Sequence, residues 1–287
     1  MKANRGLAIE RMVELGRVSR SGFYRLHEEH EADADMDLRD AMQRIAVEWP
    51  CYGRPRITAE LRRRGWTVNP KRVYRILRED NLVCVRKRKF IVTTDSNHGR
   101  TVYPNLASEM VVSDVDQLWV ADITYIRLQD EFVFLAVILD ACSRRVLGWA
   151  LERTLEDELT LAALQMALSH RAIRPGLVHH SDRGSQYAST DYTNLLKAHG
   201  IQISMSRKGN PWDNAACESF MKSLKYEEVL RNEYRDLGEA RRSIIRFLEQ
   251  VYNEKRLHSA LGYRPPVEFE QALLVQRQTE VECRRSL

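Results

Sequence analysis

The chain has 287 residues and a net charge of only +5, with 44 % hydrophobic and 30 % charged residues. These are ordinary globular proportions, which exclude extended disorder and collagen-like repeats, and the length suits two domains better than one. The strongest apolar run, Phe132 to Leu139, is too short to span a bilayer, and the N-terminus has no apolar stretch of signal-peptide type. Five widely spaced cysteines with no CxxC pair argue against a zinc ribbon or a disulfide framework, so the composition predicts a reduced, cytoplasmic protein.

From the N-terminus, a first helical candidate runs over Leu7–Leu15, turns at Gly16, and resumes at Arg20–Glu29 behind a Ser19 cap. Charge then concentrates. Residues 51–100 hold 14 basic and 4 acidic side chains, net +10, twice the net charge of the whole chain. A concentrated basic patch favours polyanions, because each neutralised phosphate releases counterions. The pattern inside that segment is specific. A short helix is predicted over Ile57–Arg64, Gly65 permits a turn, and Asn69-Pro70 opens a second helix with a cap and a first-turn proline. Val73, Ile76 and Leu77 form its apolar stripe, with Lys71, Arg75 and Arg78 on another face. This is the layout of a helix-turn-helix, and Lys71, Arg72, Arg75 and Arg78 are its candidate DNA contacts. A plain helical hairpin with a solvated basic face is the competing reading.

Residues 90–111 are polar and aperiodic and predict a linker. Three β-rich runs follow, Leu118–Leu128, Phe132–Asp140 and Arg145–Glu152, and the short breaks between them suit antiparallel neighbours. A helix over 156–170, a strand over 177–180, a helix over 190–199 and a strand over 201–205 come next. A long helix begins near Pro211, and further helix fills 237–253. Antiparallel strands followed by alternating helix and strand predict a mixed α/β domain.

Three acids in this half carry potential chemistry. Asp122 lies mid-strand in an apolar run, where a carboxylate is costly unless paired or metal-bound. Asp182 follows a strand at its carboxyl end, where α/β sheets place sites. Glu218 lies on the late helix beside the apolar stripe Cys217, Phe220, Met221 and Leu224, with Lys222 and Lys225 at i+4 and i+7 on its own line. Mg²⁺ prefers carboxylate oxygens, and two ions roughly 3.5–4 Å apart activate the attacking and leaving oxygens of phosphodiester displacement. Lys222 and Lys225 would hold the DNA backbone beside them. The plain alternatives are an Asp122–Arg pair, a turn capped by Asp182, and an ordinary Glu218–Lys222 surface pair.

The motifs in order resemble those of bacterial transposases of the insertion sequence three family, the product of its second reading frame, which are relatives of retroviral integrases. The resemblance rests on Val18–Arg25, Tyr52–Ile57 with Asn69–Arg75, Trp119–Tyr125, His180–Tyr187, and Asn214-Ala215 with Glu218-Ser219-Phe220 and Leu224-Lys225. Tyr252-Asn253, Arg256, His258–Tyr263 and Pro265-Pro266 extend it to the C-terminal block. Thirty-five residues separate Asp182 from Glu218, the family's spacing.

The resemblance implies a ribonuclease-H-like catalytic core, a mixed five-stranded sheet with helices, preceded by an all-α helix-turn-helix DNA-binding region. The implied layout is an N-terminal helical segment over 1–35, a helix-turn-helix domain over 36–93, a linker over 94–111, a core over 112–232 and a helical extension over 233–287. Asp122, Asp182 and Glu218 are implied as catalytic ligands of two Mg²⁺ ions, with Mn²⁺ able to substitute. The implied reaction is strand cleavage by water, then attack of the freed 3′ hydroxyl on another phosphodiester, without a covalent protein–DNA intermediate. The implied partners are double-stranded DNA at element ends and target, further copies of the chain on that DNA, and an upstream-frame protein. The location would be the nucleoid. The zinc-binding His/Cys module of retroviral integrases has no counterpart here, since His27 and His30 lack a CxxC partner. A nuclease of the same fold without strand transfer, and a catalytically incomplete DNA-binding regulator, are the alternatives.

Overall fold

A computed structural model describes residues 35–82, 101–207 and 214–285. The candidate helix-turn-helix of residues 7–29, and Trp212, lie outside the described residues. The chain forms two compact units, Met1–Cys84 and Val85–Leu287.

In the first unit, helices α1 (Met36–Glu48), α2 (Arg54–Arg63) and α3 (Pro70–Glu79) pack as a small bundle. Each contributes an apolar stripe at helical spacing: Leu38, Met42 and Ile45 from α1, Ile57 and Leu61 from α2, and Val73, Ile76 and Leu77 from α3, all buried. Gly65 turns the chain between α2 and α3 at φ +87°, a left-handed conformation that suits glycine. The Asn69 side chain caps α3 by accepting the Lys71 N–H at 2.8 Å, and Pro70 occupies the first turn. The predicted helix, Gly turn and capped basic helix are therefore present, and α1 is the additional helix that closes their core.

In the second unit, strands β1 (Leu118–Arg127), β2 (Phe132–Asp140) and β3 (Val146–Glu152) form an antiparallel meander. Helix α4 (Asp157–His170) crosses to β4 (Val178–Ser181), and α5 (Thr190–Ala198) leads to β5 (Gln202–Met205). β4 runs parallel to both β1 and β5, giving the five-strand order β3-β2-β1-β4-β5. β1 is central because both of its faces are apolar. Leu118 and Val120 face one layer with Val178, while Trp119 and Ala121 face the other. Helix α6 (Ala215–Glu227) covers the first face with Cys217, Phe220, Met221 and Leu224, and α4 and α5 cover the second. The approach of α4 to β3 is close. A Cβ at Gly148 would lie 2.1 Å from the Ala163 carbonyl oxygen and 2.7 Å from the Ala167 nitrogen.

The C-terminal part is helical, as predicted. Helix α7 (Leu237–Arg246) continues into a π-helical turn over Phe247–Asn253, and α8 (Pro266–Arg285) follows. It is fastened by polar groups. The Asn253 side chain pairs with both the N–H (2.9 Å) and the C=O (3.0 Å) of Val146, so it acts as a short extra rung at the β3 edge. Glu270 of α8 accepts from Ser143 Oγ at 2.7 Å and from Arg145 at 2.6 Å, and also pairs with Arg171.

Candidate active site and nucleic-acid interface

The sheet register sets two of the acids at one level. In the parallel pair β1–β4, Val120 lies opposite His180. Asp122 and Asp182 each stand two residues further on, so both fall at the carboxyl end of β4 on neighbouring lines. The period-two alternation puts Asp122 on the same face as Leu118 and Val120, which is the face α6 covers. Glu218, next to the buried Cys217 in the first turn of α6, comes from that covering helix.

The electrostatics of Asp122 register this grouping. The residue keeps part of its surface open, yet its carboxyl is enclosed enough that burial lifts its pKa to about 7 from an ordinary 3.8. The negative charge of Asp182 raises it next, and Glu218 adds a smaller push in the same direction. The Ile123 N–H, donated to Asp122 Oδ1 at 2.8 Å, and the Lys225 cation pull it down. No arginine pairs with Asp122 among the described residues. Asp182 Oδ1 accepts the Gly184 N–H at 2.8 Å, so Asp182 also caps its own turn, and a Cβ at Gly184 would lie 3.0 Å from that oxygen. Glu218 pairs with Lys222 at 3.5 Å. Among the described residues no group of three or more His, Cys, Asp or Glu side chains lies close enough to grip one ion. Asp122 and Asp182 are brought together, and Glu218 stands within electrostatic reach but outside a closed ligand set.

The predicted line of one acid and two exposed cations divides. Lys222 is exposed, but Lys225 is half-buried with Nζ 4.9 Å from the Tyr125 ring centroid, and burial lowers its pKa while Asp122 opposes that shift. Lys225 therefore faces β1 and the acids rather than open solvent.

Asn214 was part of a sequence motif without an assigned role. It stands at the start of α6, where its side chain makes no cap; Nδ2 donates instead to the carbonyl of Ala121, the residue before Asp122, at 3.1 Å. Asn at a helix start reads as a cap in sequence, which hides this use. His179 and His180 are enclosed within β4. His180 Nδ1 bonds Ser204 Oγ at 2.8 Å, and the Tyr192 hydroxyl bonds His179 Nε2 at 2.9 Å, with both rings buried. Trp119 is fully buried, its indole N–H on Asp116. Arg183 donates to the Ser206 carbonyl and Gln186 to that of Leu155.

In the first unit the four basic candidates on α3 also separate. Arg72 and Arg75 both pair with the buried Asp35, which depresses that carboxyl's pKa, and Arg75 reaches Glu79 as well. Lys71 and Arg78 have no acidic partner among the described residues.

A helical bundle of helix-turn-helix type and a mixed five-stranded sheet with Asp122 and Asp182 level with the carboxyl end of β4 define the class of integrase-type recombination proteins. The comparisons agree. The family "Integrase core domain" matches residues 113–211, a second description of the same name matches 199–266, and "HTH-like domain" matches 32–90. A 31 kDa protein of insertion element IS600 from Shigella sonnei is 38 % identical over 90 % of this chain and 97 % of its own. The transposase InsF for insertion sequence IS3A from Escherichia coli K12 is 36 % identical over 92 % of this chain and 94 % of its own. Among solved structures, the HTLV-2 integrase catalytic core domain in complex with magnesium is a looser likeness. It is 16 % identical with a TM-score of 0.40, covering 54 % of this chain and 97 % of its own. The chain belongs to the IS3 family of insertion-sequence transposases. Among the described residues no helix is long and apolar enough to cross a membrane.

Proposed function

We propose that the chain cuts double-stranded DNA at the ends of its element and joins the freed 3′ ends to a target, with Asp122, Asp182 and Glu218 as the acids of the reaction. The observation that carries the proposal is the grouping around Asp122, a carboxyl that feels Asp182 first among charged neighbours and Glu218 after it. Two like charges beside a desolvated carboxylate are unfavourable by themselves, and a hard divalent cation offsets them. The donor chemistry fits Mg²⁺, with Mn²⁺ as a substitute. Asp122 and Asp182 would hold the cation at the strand ends, and Glu218 would join them once its bond to Lys222 gives way to DNA. When bound, two such ions supply Lewis-acid activation of the attacking and leaving oxygens.

The remaining work falls to the chain's own groups. Lys225, set over Tyr125 beside Asp122, fixes a phosphate near the acids, and Lys222 holds the neighbouring backbone. Asn214 ties the start of α6 to β1 and so sets Glu218 against Asp122. Lys71, Arg72, Arg75 and Arg78 supply the DNA affinity of the first unit. Further copies of the chain on paired ends, and an upstream-frame protein, complete the proposed assembly at the nucleoid. The layout of segments over 1–35, 36–93, 94–111, 112–232 and 233–287 belongs to the same proposal.

The test is a strand-transfer reaction with supercoiled plasmid and labelled element-end DNA in Mg²⁺, with and without the upstream-frame product. Joined products are expected. Nicks alone would mean a nuclease, and retention without cleavage a DNA-binding regulator. Asp122→Asn, Asp182→Asn and Glu218→Gln should each abolish cleavage while end binding persists. Cleavage that survives in one of them removes that residue from the site.

A further inference from the structure

The exposed face of α3 contains an aromatic residue as well as cations. Tyr74 is 45 % exposed, high for a tyrosine in a small bundle whose other apolar α3 residues are buried. Two guanidinium groups lie near it: Arg54, at the start of α2, is 5.5 Å from its ring centroid and Arg78 is 5.9 Å away. Neither Arg54 nor Arg78 has an acidic partner among the described residues, and Lys71, one turn before Tyr74, has none either. Arg72 and Arg75 are instead held by Asp35 and Glu79. The charge of the face is thus sorted. Two cations of α3 are neutralised within the bundle, and among the described residues Arg54, Lys71 and Arg78 are left without an acidic partner near one exposed ring.

We infer that Tyr74, framed by Arg54, Lys71 and Arg78, is the base-reading residue of this unit on duplex DNA. This rests on the reading of α3 as a DNA-binding helix and adds a division of labour within it. The three cations fit phosphates, and their charge complementarity selects a nucleic acid as the occupant. The ring cannot contribute to that term because it carries no charge. What it offers is an apolar edge for a thymine methyl and a hydroxyl for a base edge, both of which depend on sequence. Cation–π contacts with the two guanidiniums help hold the ring in place before DNA arrives, which lowers the ordering cost of binding. Arg72 and Arg75, paired with Asp35, supply the remaining DNA affinity of α3.

The experiment uses the full chain and two duplexes. One is selected on the wild-type chain from a random-core DNA pool, and the other is a scrambled duplex of the same composition. Tyr74→Ala is expected to lower the affinity ratio of selected to scrambled duplex about tenfold, with the salt slope unchanged. Tyr74→Phe should keep most of the ratio. Arg54→Ala, Lys71→Ala and Arg78→Ala should each weaken binding to both duplexes and reduce the salt slope by about one. An unchanged ratio in Tyr74→Ala overturns the inference, as does a wild-type chain that yields no preferred duplex. If the three cation variants leave affinity and salt slope intact, the reading of α3 itself fails, which is a distinguishable result.

Discussion

Asn214 Nδ2 donates to the backbone carbonyl of Ala121 at 3.1 Å, joining the residue that precedes the helix carrying Glu218 to the strand that carries Asp122. The bond bridges residues 93 apart in the chain, and Asn214 Oδ1 is buried without a partner among the described residues. The Asn214→Ala variant is expected to lose about 1 kcal/mol of stability and to cut strand cleavage at least about tenfold with little change in DNA affinity, since displacing a catalytic group by even 1 Å is costly. Asn214→Asp should do no better, because a carboxylate cannot donate to that carbonyl and adds charge beside Asp122. Cleavage rates at saturating DNA, set against binding isotherms, check both.

Asp122 gives a pH dependence with a definite sign. Its folded-state pKa of about 7 lies above the ordinary 3.8 of an unfolded chain, so the folded protein holds the proton more tightly. Stability from this group is fully present below about pH 4 and falls as pH rises to about 7. In the metal-free chain, Asp122→Asn should therefore be the more stable protein at pH 8, by on the order of a few kcal/mol at most. The difference should shrink towards pH 4. Added Mg²⁺ should raise the melting temperature of the wild type at pH 8 and leave that of Asp122→Asn unmoved. Thermal melts across pH, with and without Mg²⁺, read this directly.

Arg256 is almost fully buried and forks onto Glu227, with both contacts at 2.7 Å, and Nη2 also reaches Ser223 Oγ at 3.0 Å. Glu227 and Ser223 lie on α6, so Arg256 clamps the end of the helix far from Asn214. Arg256→Ala leaves an enclosed carboxylate without its partner and is expected to cost roughly 3–5 kcal/mol. Arg256→Ala combined with Glu227→Gln should recover part of that loss. Denaturant unfolding of the single and double variants measures the coupling.

Gly148 admits no side chain. With the Ala163 carbonyl 2.1 Å from where a Cβ would sit, Gly148→Ala must push α4 off β3. Backbone atoms cannot rotate away as a side chain can, so the expected loss is roughly 1–3 kcal/mol or more. A fall in melting temperature with unchanged α3-mediated DNA binding is the outcome to look for.

The apolar periods were readable in the chain itself. The two-faced apolar run over Leu118–Leu128 and the stripe of Val73, Ile76 and Leu77 name a central strand and an amphipathic helix, because burial acts on neighbours a fixed number of residues apart. The order of motifs named the family, and Asp122, mid-strand among apolar residues, stood out as a group whose desolvation demands compensation.

What tertiary structure alone decided is which charges meet. Lys71, Arg72, Arg75 and Arg78 look alike in sequence, yet Asp35, some forty residues earlier, claims two of them. Lys225 looked like a solvent-facing partner of Lys222 and is turned onto Tyr125 instead. Ion pairs and hydrogen bonds act over a few ångströms between groups far apart in the chain, so no local period records them. Only the strand register and the helix crossing bring Asp122, Asp182 and Asn214 to the carboxyl end of β4, and set Glu218 on the helix above it.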